Sequence, residues 1–96
     1  MTTVIKPRIA KAAIIHKGKI YTGWRHCVIG HEMLKAGVCK RPFPGGNSQG
    51  FVLEDGSFVG REEAMRIARE AGQGKIPDRR LELFSEWMWD KNGLEW

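Results

Sequence analysis

An Asp55-Gly56 dipeptide set between two alternating apolar stretches, residues 50–53 and 57–59, is the strongest local constraint in this 96-residue chain. Short hairpin loops demand positive φ, which glycine adopts without steric penalty, so this stretch predicts two antiparallel strands and a tight turn. A second turn signal lies upstream. Lys17-Gly18 separates residues 8–17, where Ile9, Ala12, Ala13, Ile14 and Ile15 fit a strand entering a core, from the β-branched and aromatic run Lys19-Ile20-Tyr21-Thr22. Two hairpins are therefore expected.

After each hairpin the apolar period changes from two to that of a helix. Cys27, His31, Leu34 and Val38 fall at i, i+4, i+7 and i+11, which predicts a helix over about 24–36 with that face inward and Gly37 closing it. Ala64, Ile67, Ala68 and Ala71 predict a second helix over 61–71, with Glu62 and Glu63 at the positive end of its dipole and Gly72 as its stop. Residues 40–48, with Pro42, Pro44, Gly45 and Gly46, read as an irregular surface loop. Residues 73–80 read as a connector, and Leu81, Leu83, Phe84, Trp87 and Trp89 as an aromatic tail forming a short strand or helical turn. The expected fold is α+β, a small antiparallel sheet of two hairpins with two packed helices. It makes a single domain over 1–96 with loose ends at 1–7 and 90–96.

A chain of this size buries a thin core, so a partner subunit would help it. With 42% hydrophobic and 28% charged residues the composition is that of a folded protein. No apolar run approaches a membrane span and no signal-peptide pattern opens the chain, so a cytoplasmic location is expected. Two cysteines, Cys27 and Cys39, make no disulfide framework. The charge is divided unevenly. Residues 1–48 carry nine lysines and arginines against Glu32 alone, a net +8, whereas residues 49–96 carry seven against ten acids, a net −3. A basic half suits an anionic partner, nucleic acid or a phosphorylated small molecule, unless the halves lie side by side and cancel.

Sequence motifs for catalysis are weak. Cys27 with His31 has i,i+4 spacing, but a nucleophile needs a base that a third group orients, and Glu62 and Glu63 diverge on a helix. His26, Cys27, His31 and Cys39 lack the spacing of a zinc knuckle, and structural roles explain them better than a metal. No phosphate-binding glycine loop or dinucleotide fingerprint occurs, so no cofactor is expected. What remains is binding chemistry. Arg25 with His26, and Arg61, each follow a hairpin at the start of a helix, where free backbone N–H groups favour anions and a guanidinium grips phosphate bidentately. Tyr21, Trp24, Phe43, Phe51 and Phe58 are candidates to stack on a base, although each type is more often core.

The ordered motifs Gly-Lys-Ile-Tyr-Thr-Gly-Trp-Arg-His (18–26), Gln-Gly-Phe (49–51), Gly-Ser-Phe (56–58), Arg-Glu-Glu-Ala (61–64), Ala-Gly-Gln (71–73) and Leu-Phe-Ser-Glu (83–86) resemble a family of small phage proteins. That family includes the Thoeris anti-defence sponges, which sequester cyclic ADP-ribose-type immune signals. The resemblance covers about residues 10–89, and residues 90–96 run past the usual ending. It implies a homo-oligomer, hexameric among the sponges, with nucleotide pockets where subunits meet and no turnover of the ligand. By motif match it marks Arg25, His26, Gln49, Phe51, Arg61 and Ser85 as ligand-binding positions, beside the stacking candidates Tyr21 and Trp24. The expected function is capture of a cyclic nucleotide or cyclic ADP-ribose-type signal in the host cytoplasm, without catalysis and away from membranes. The alternatives are a basic nucleic-acid-binding protein and an enzyme that degrades the signal.

Overall fold

A computed structural model describes residues 7–40 and 45–96. The expected loose start, apart from Pro7, and the stacking candidate Phe43 lie outside the described residues.

Strands β1 (Ile9–His16) and β2 (Lys19–Gly23) form the first hairpin. Its two-residue turn puts Lys17 at φ 50° and Gly18 at φ 77°, the mirror-image turn whose twist matches that of the strands. Strands β3 (Gln49–Leu53) and β4 (Phe58–Gly60) form the second. In its turn Gly56 takes φ 90° and Asp55 Oδ1 accepts the Ser57 N–H at 2.9 Å. β1 pairs antiparallel with β3, so one sheet runs β2-β1-β3-β4 and both outer strands are hairpin partners. This is the α+β arrangement that the turn signals predict.

Helix α1 (His26–Lys35) lies against β1 and β2, and α2 (Arg61–Ala71) against β3 and β4. Both cover the face carrying Ala12, Ile14, Phe51 and Leu53, where Ile29, Met33, Ala64, Met65, Ile67 and Ala68 complete the core. Three alanines at zero exposure on the packed faces, Ala12, Ala64 and Ala68, let helix and sheet approach closely. Fully enclosed side chains such as Phe51, Ile14 and Met33 are worth about 1.5–3 kcal/mol each. Both helices end on a left-handed glycine as expected. After α1, Gly37 N–H binds Leu34 O and Val38 N–H binds Met33 O; after α2, Gly72 N–H binds Arg69 O and Gln73 N–H binds Ala68 O.

Three expectations need correction. First, α1 begins at His26, not near Trp24, because Arg25 is extended (φ −143°, ψ 143°) and acts as the N-cap. Its buried stripe is His26, Ile29, Gly30 and Met33 rather than Cys27, His31, Leu34 and Val38; Cys27 and His31 are exposed. Both stripes satisfy a helical period, and packing of Ile29 and Met33 onto the sheet selects between them. Second, the loop 40–48 contains a 3-10 turn at Gly46–Ser48. Third, the C-terminal segment is no loose end: after a 3-10 turn at Ser85–Trp87 it folds back, with Trp89 paired to Glu95 and Trp96 Nε1–H donating to Glu86 O at 2.8 Å.

Candidate functional site

The eight expected ligand-binding residues separate into three places. The first is interior. His26 opens α1, and its N–H is accepted by Ser85 Oγ at 3.2 Å, a cap supplied by a residue 59 positions away. His26 Nε2 lies 2.8 Å from Gly50 O, so that nitrogen carries the proton. The Phe51 ring meets the imidazole edge-on at 5.1 Å and stacks on Trp89 at 6.2 Å. Burial lowers the imidazole's pKa from its usual 6.5, and the charge of Arg61 adds to the effect against the Gly50 carbonyl, Glu86 and the Ala13 backbone. His26, Ser85 and Phe51 are buried, so in this arrangement they form a packed strut with no face turned to solvent. Arg25 is half-buried beside them. Its Nη2 donates to Trp89 O at 3.2 Å, while its buried Nε has no hydrogen-bond partner.

The second place is an open cleft of about 370 Å³ lined by Gly46, Gln49, Gly60, Arg61, Glu62 and Glu82. The Gly46–Ser48 turn delivers Gln49 to its wall, and β4 runs directly into α2 through Gly60. Gly60 is the N-cap of α2 and has no side chain to offer, so no side-chain cap bonds the first-turn N–H groups that adjoin the cleft. Arg61 Nη2 pairs with Glu82 at 2.9 Å, and Arg61 O accepts the Leu83 N–H, which ties the segment before the C-terminal turn to this corner. One guanidinium, one amide, two carboxylates and the positive end of a helix dipole thus converge. Such a set can hold a phosphate by the helix end and Arg61, and hydroxyls or base edges by the carboxylates and Gln49. The nearby Gly50 carbonyl connects this wall to the His26 strut.

The third place is a groove of about 500 Å³ between β2 and α1, where Tyr21 and Trp24 stand with Ile20, Val28, Ile29, Glu32 and Met33. A smaller hollow of about 280 Å³ lies on the other side of Trp24, between Lys11, Trp89 and Gly93. Gln49 and Arg61 are therefore brought together, whereas Tyr21 and Trp24 belong to a different surface. Sequence reasoning missed Glu82, Gly46 and Gly60 in the cleft. It also missed Gln73 as a staple: its side chain accepts from Ile9 N–H at 2.8 Å and donates to Ile9 O at 3.0 Å and Glu95 at 2.9 Å. The signal was available only in part, as Gln73 closes the Ala-Gly-Gln motif. No group of three or more histidine, cysteine, aspartate or glutamate side chains suited to a metal occurs among the described residues. Among them, no helix is long and apolar enough to cross a membrane.

Fold and cleft together define a small two-layer α+β protein with an uncapped helix end set in a polar recess. The sequence profile of the phage T4 y16D protein family matches residues 8–89, and the chain belongs to that family of small phage proteins. The match begins at Arg8, beside the start of β1, and ends at Trp89, taking in both hairpins, both helices and the His26 strut. No curated protein and no solved structure matches the chain.

Proposed function

We propose that this protein captures a phosphorylated nucleotide of the cyclic nucleotide or cyclic ADP-ribose type in the cleft ahead of α2 and holds it unchanged, as an anti-defence sponge of a phage. The observation that carries this proposal is the convergence of Arg61 and Gln49 on the uncapped N-terminus of α2 in one recess. Phosphate oxygens would displace Glu82 from Arg61 and bind the first-turn N–H groups. The released carboxylate then accepts from ribose hydroxyls, so the acids favour a nucleotide over bare phosphate. The cleft volume of about 370 Å³ falls at the small end of ligand pockets.

Affinity argues for assembly. Nanomolar capture requires about 12 kcal/mol, while a charge-assisted hydrogen bond supplies roughly 1.5–3 kcal/mol. One open cleft with one arginine falls short, and a second copy closing over it would add the missing contacts and exclude water. The basic first half also fits nucleic acid, through exposed Lys11, Lys17, Lys19, Lys35 and Lys40.

Titration calorimetry with cyclic dinucleotides, cyclic trinucleotides and cyclic ADP-ribose isomers, paired with native mass spectrometry, tests the proposal. Binding by one of these, weakened at least tenfold in Arg61→Ala at unchanged Tm, is expected, with the ligand recovered intact after denaturation. Release of a cleaved product would make the protein an enzyme. Binding only to oligonucleotides, falling steeply between about 50 and 200 mM salt, would make it a nucleic-acid-binding protein.

A further inference from the structure

β2 is an edge strand. The two-residue turn makes His16 and Lys19 a hydrogen-bonded pair, and alternation along the register makes Ile14 with Tyr21 and Ala12 with Gly23 the next two. Ile20 and Thr22 fall between them, so their N–H and C=O groups point away from β1. Both residues are exposed, Ile20 by 43% despite its apolar side chain, and neither has a backbone partner beyond the sheet among the described residues. Edge strands of this kind are templates for another chain. Here the edge is accompanied along its length by α1, which leaves the 500 Å³ groove floored by Tyr21, Ile29 and Met33.

The groove has one charged side chain, Glu32. Glu32 is the single acid of residues 1–48, and its carboxylate has no cation partner among the described residues. We propose that an extended peptide segment of a partner protein adds to β2 in this groove as a fifth strand, with alternate apolar side chains facing α1 and a lysine or arginine reaching Glu32. Strand addition of this sort takes affinity from main-chain hydrogen bonds and specificity from alternate side chains. A second copy is the less suitable occupant. Edge-to-edge pairing would bring two half-chains of net +8 together.

The test uses the full chain and a blocked, dye-labelled hexapeptide of alternating valine and threonine with one central lysine, followed by anisotropy and by amide exchange in NMR. Saturable binding is expected, with slowed exchange at the Ile20 and Thr22 amides. Lysine-to-glutamate replacement in the peptide should weaken binding at least tenfold, and Glu32→Lys should reverse that preference. Thr22→Pro removes one outward N–H and should abolish binding at unchanged Tm. Should that variant fold poorly, N-methylation of alternate peptide amides makes the same test from the ligand side. The proposal is overturned by absence of binding at millimolar peptide, by equal binding of the lysine and glutamate peptides, or by binding indifferent to both backbone changes. Protection of Ile20 and Thr22 that rises with protein concentration alone would instead assign the edge to a second copy.

Discussion

His26 is the residue on which sequence and structure differ most in meaning. Its place at a helix start, beside an arginine, suggests a ligand contact. The structure gives both its backbone N–H and its Nε2–H to protein acceptors and packs Phe51 against the ring. A buried imidazole whose pKa is lowered stays neutral in the fold, while the unfolded chain takes up a proton below about pH 6.5. The unfolded state then binds more protons, so stability is fully present above pH 6.5 and is lost as pH falls toward the depressed value. Denaturant unfolding at pH 7 and pH 5 should show wild type losing stability over that interval and His26→Gln losing less. An equal loss in both would place the pH response elsewhere. Ser85 should behave as its partner: Ser85→Ala removes the acceptor of a buried N–H, with an expected cost of about 1–3 kcal/mol at all pH values.

At the scale of elements, two glycines separate steric from conformational demands. A Cβ on Gly50 would strike the Val59 carbonyl oxygen and stand 2.6 Å from Phe58 Cζ, so β3 and β4 can meet only because this side chain is missing. At Gly72 a Cβ would meet nothing within 4 Å, but φ is 68°. Gly50→Ala should therefore cost about 2–3 kcal/mol through displacement of a strand, and Gly72→Ala about 1 kcal/mol through backbone conformation alone. Urea midpoints for the two variants check the order. Gly72→Asn should recover part of its loss, because asparagine tolerates the left-handed region, and Gly50→Asn should recover none. Element positions were largely legible beforehand. Turns at Lys17-Gly18 and Asp55-Gly56 and stops at Gly37 and Gly72 depend on φ and on neighbours within five residues. The buried face of α1 was not legible, since Ile29 and Met33 compete with Cys27 and His31 at the same period and only contact with the sheet decides between them.

Across the whole molecule, the C-terminal segment acts as a strap. Gly93 lies against the Trp24 ring, Glu95 joins Arg8 at 3.9 Å and Gln73 at 2.9 Å, and Trp96 bonds Glu86 O while Lys75 stands 4.8 Å over its ring. These contacts reach Arg8 just before β1, Trp24 just after β2, and Gln73 and Lys75 in the connector after α2. Removal of residues 90–96 should lower stability by about 2 kcal/mol, since each hydrogen bond has a net worth of roughly 0.5–1.5 kcal/mol. For a domain of this size that is a fall in Tm of about 8–16 °C. A Tm unchanged within 2 °C of wild type, with 2 °C taken as roughly the smallest meaningful shift, would mean that the segment is not part of the folded unit.

The amino-acid order by itself determined two hairpins, two helices, their glycine stops and the α+β class, because each is an agreement between neighbouring residues about φ, ψ and apolar period. It also marked Arg61 and Gln49. Only the tertiary structure decided that these two share a cleft with Glu82, that His26, Phe51, Ser85 and Trp89 close into an interior strut, and that Tyr21 and Trp24 serve another surface. The first two outcomes rest on contacts between residues 21 to 59 positions apart, whose energies depend on how sheet and helices pack. No local pattern carries that information.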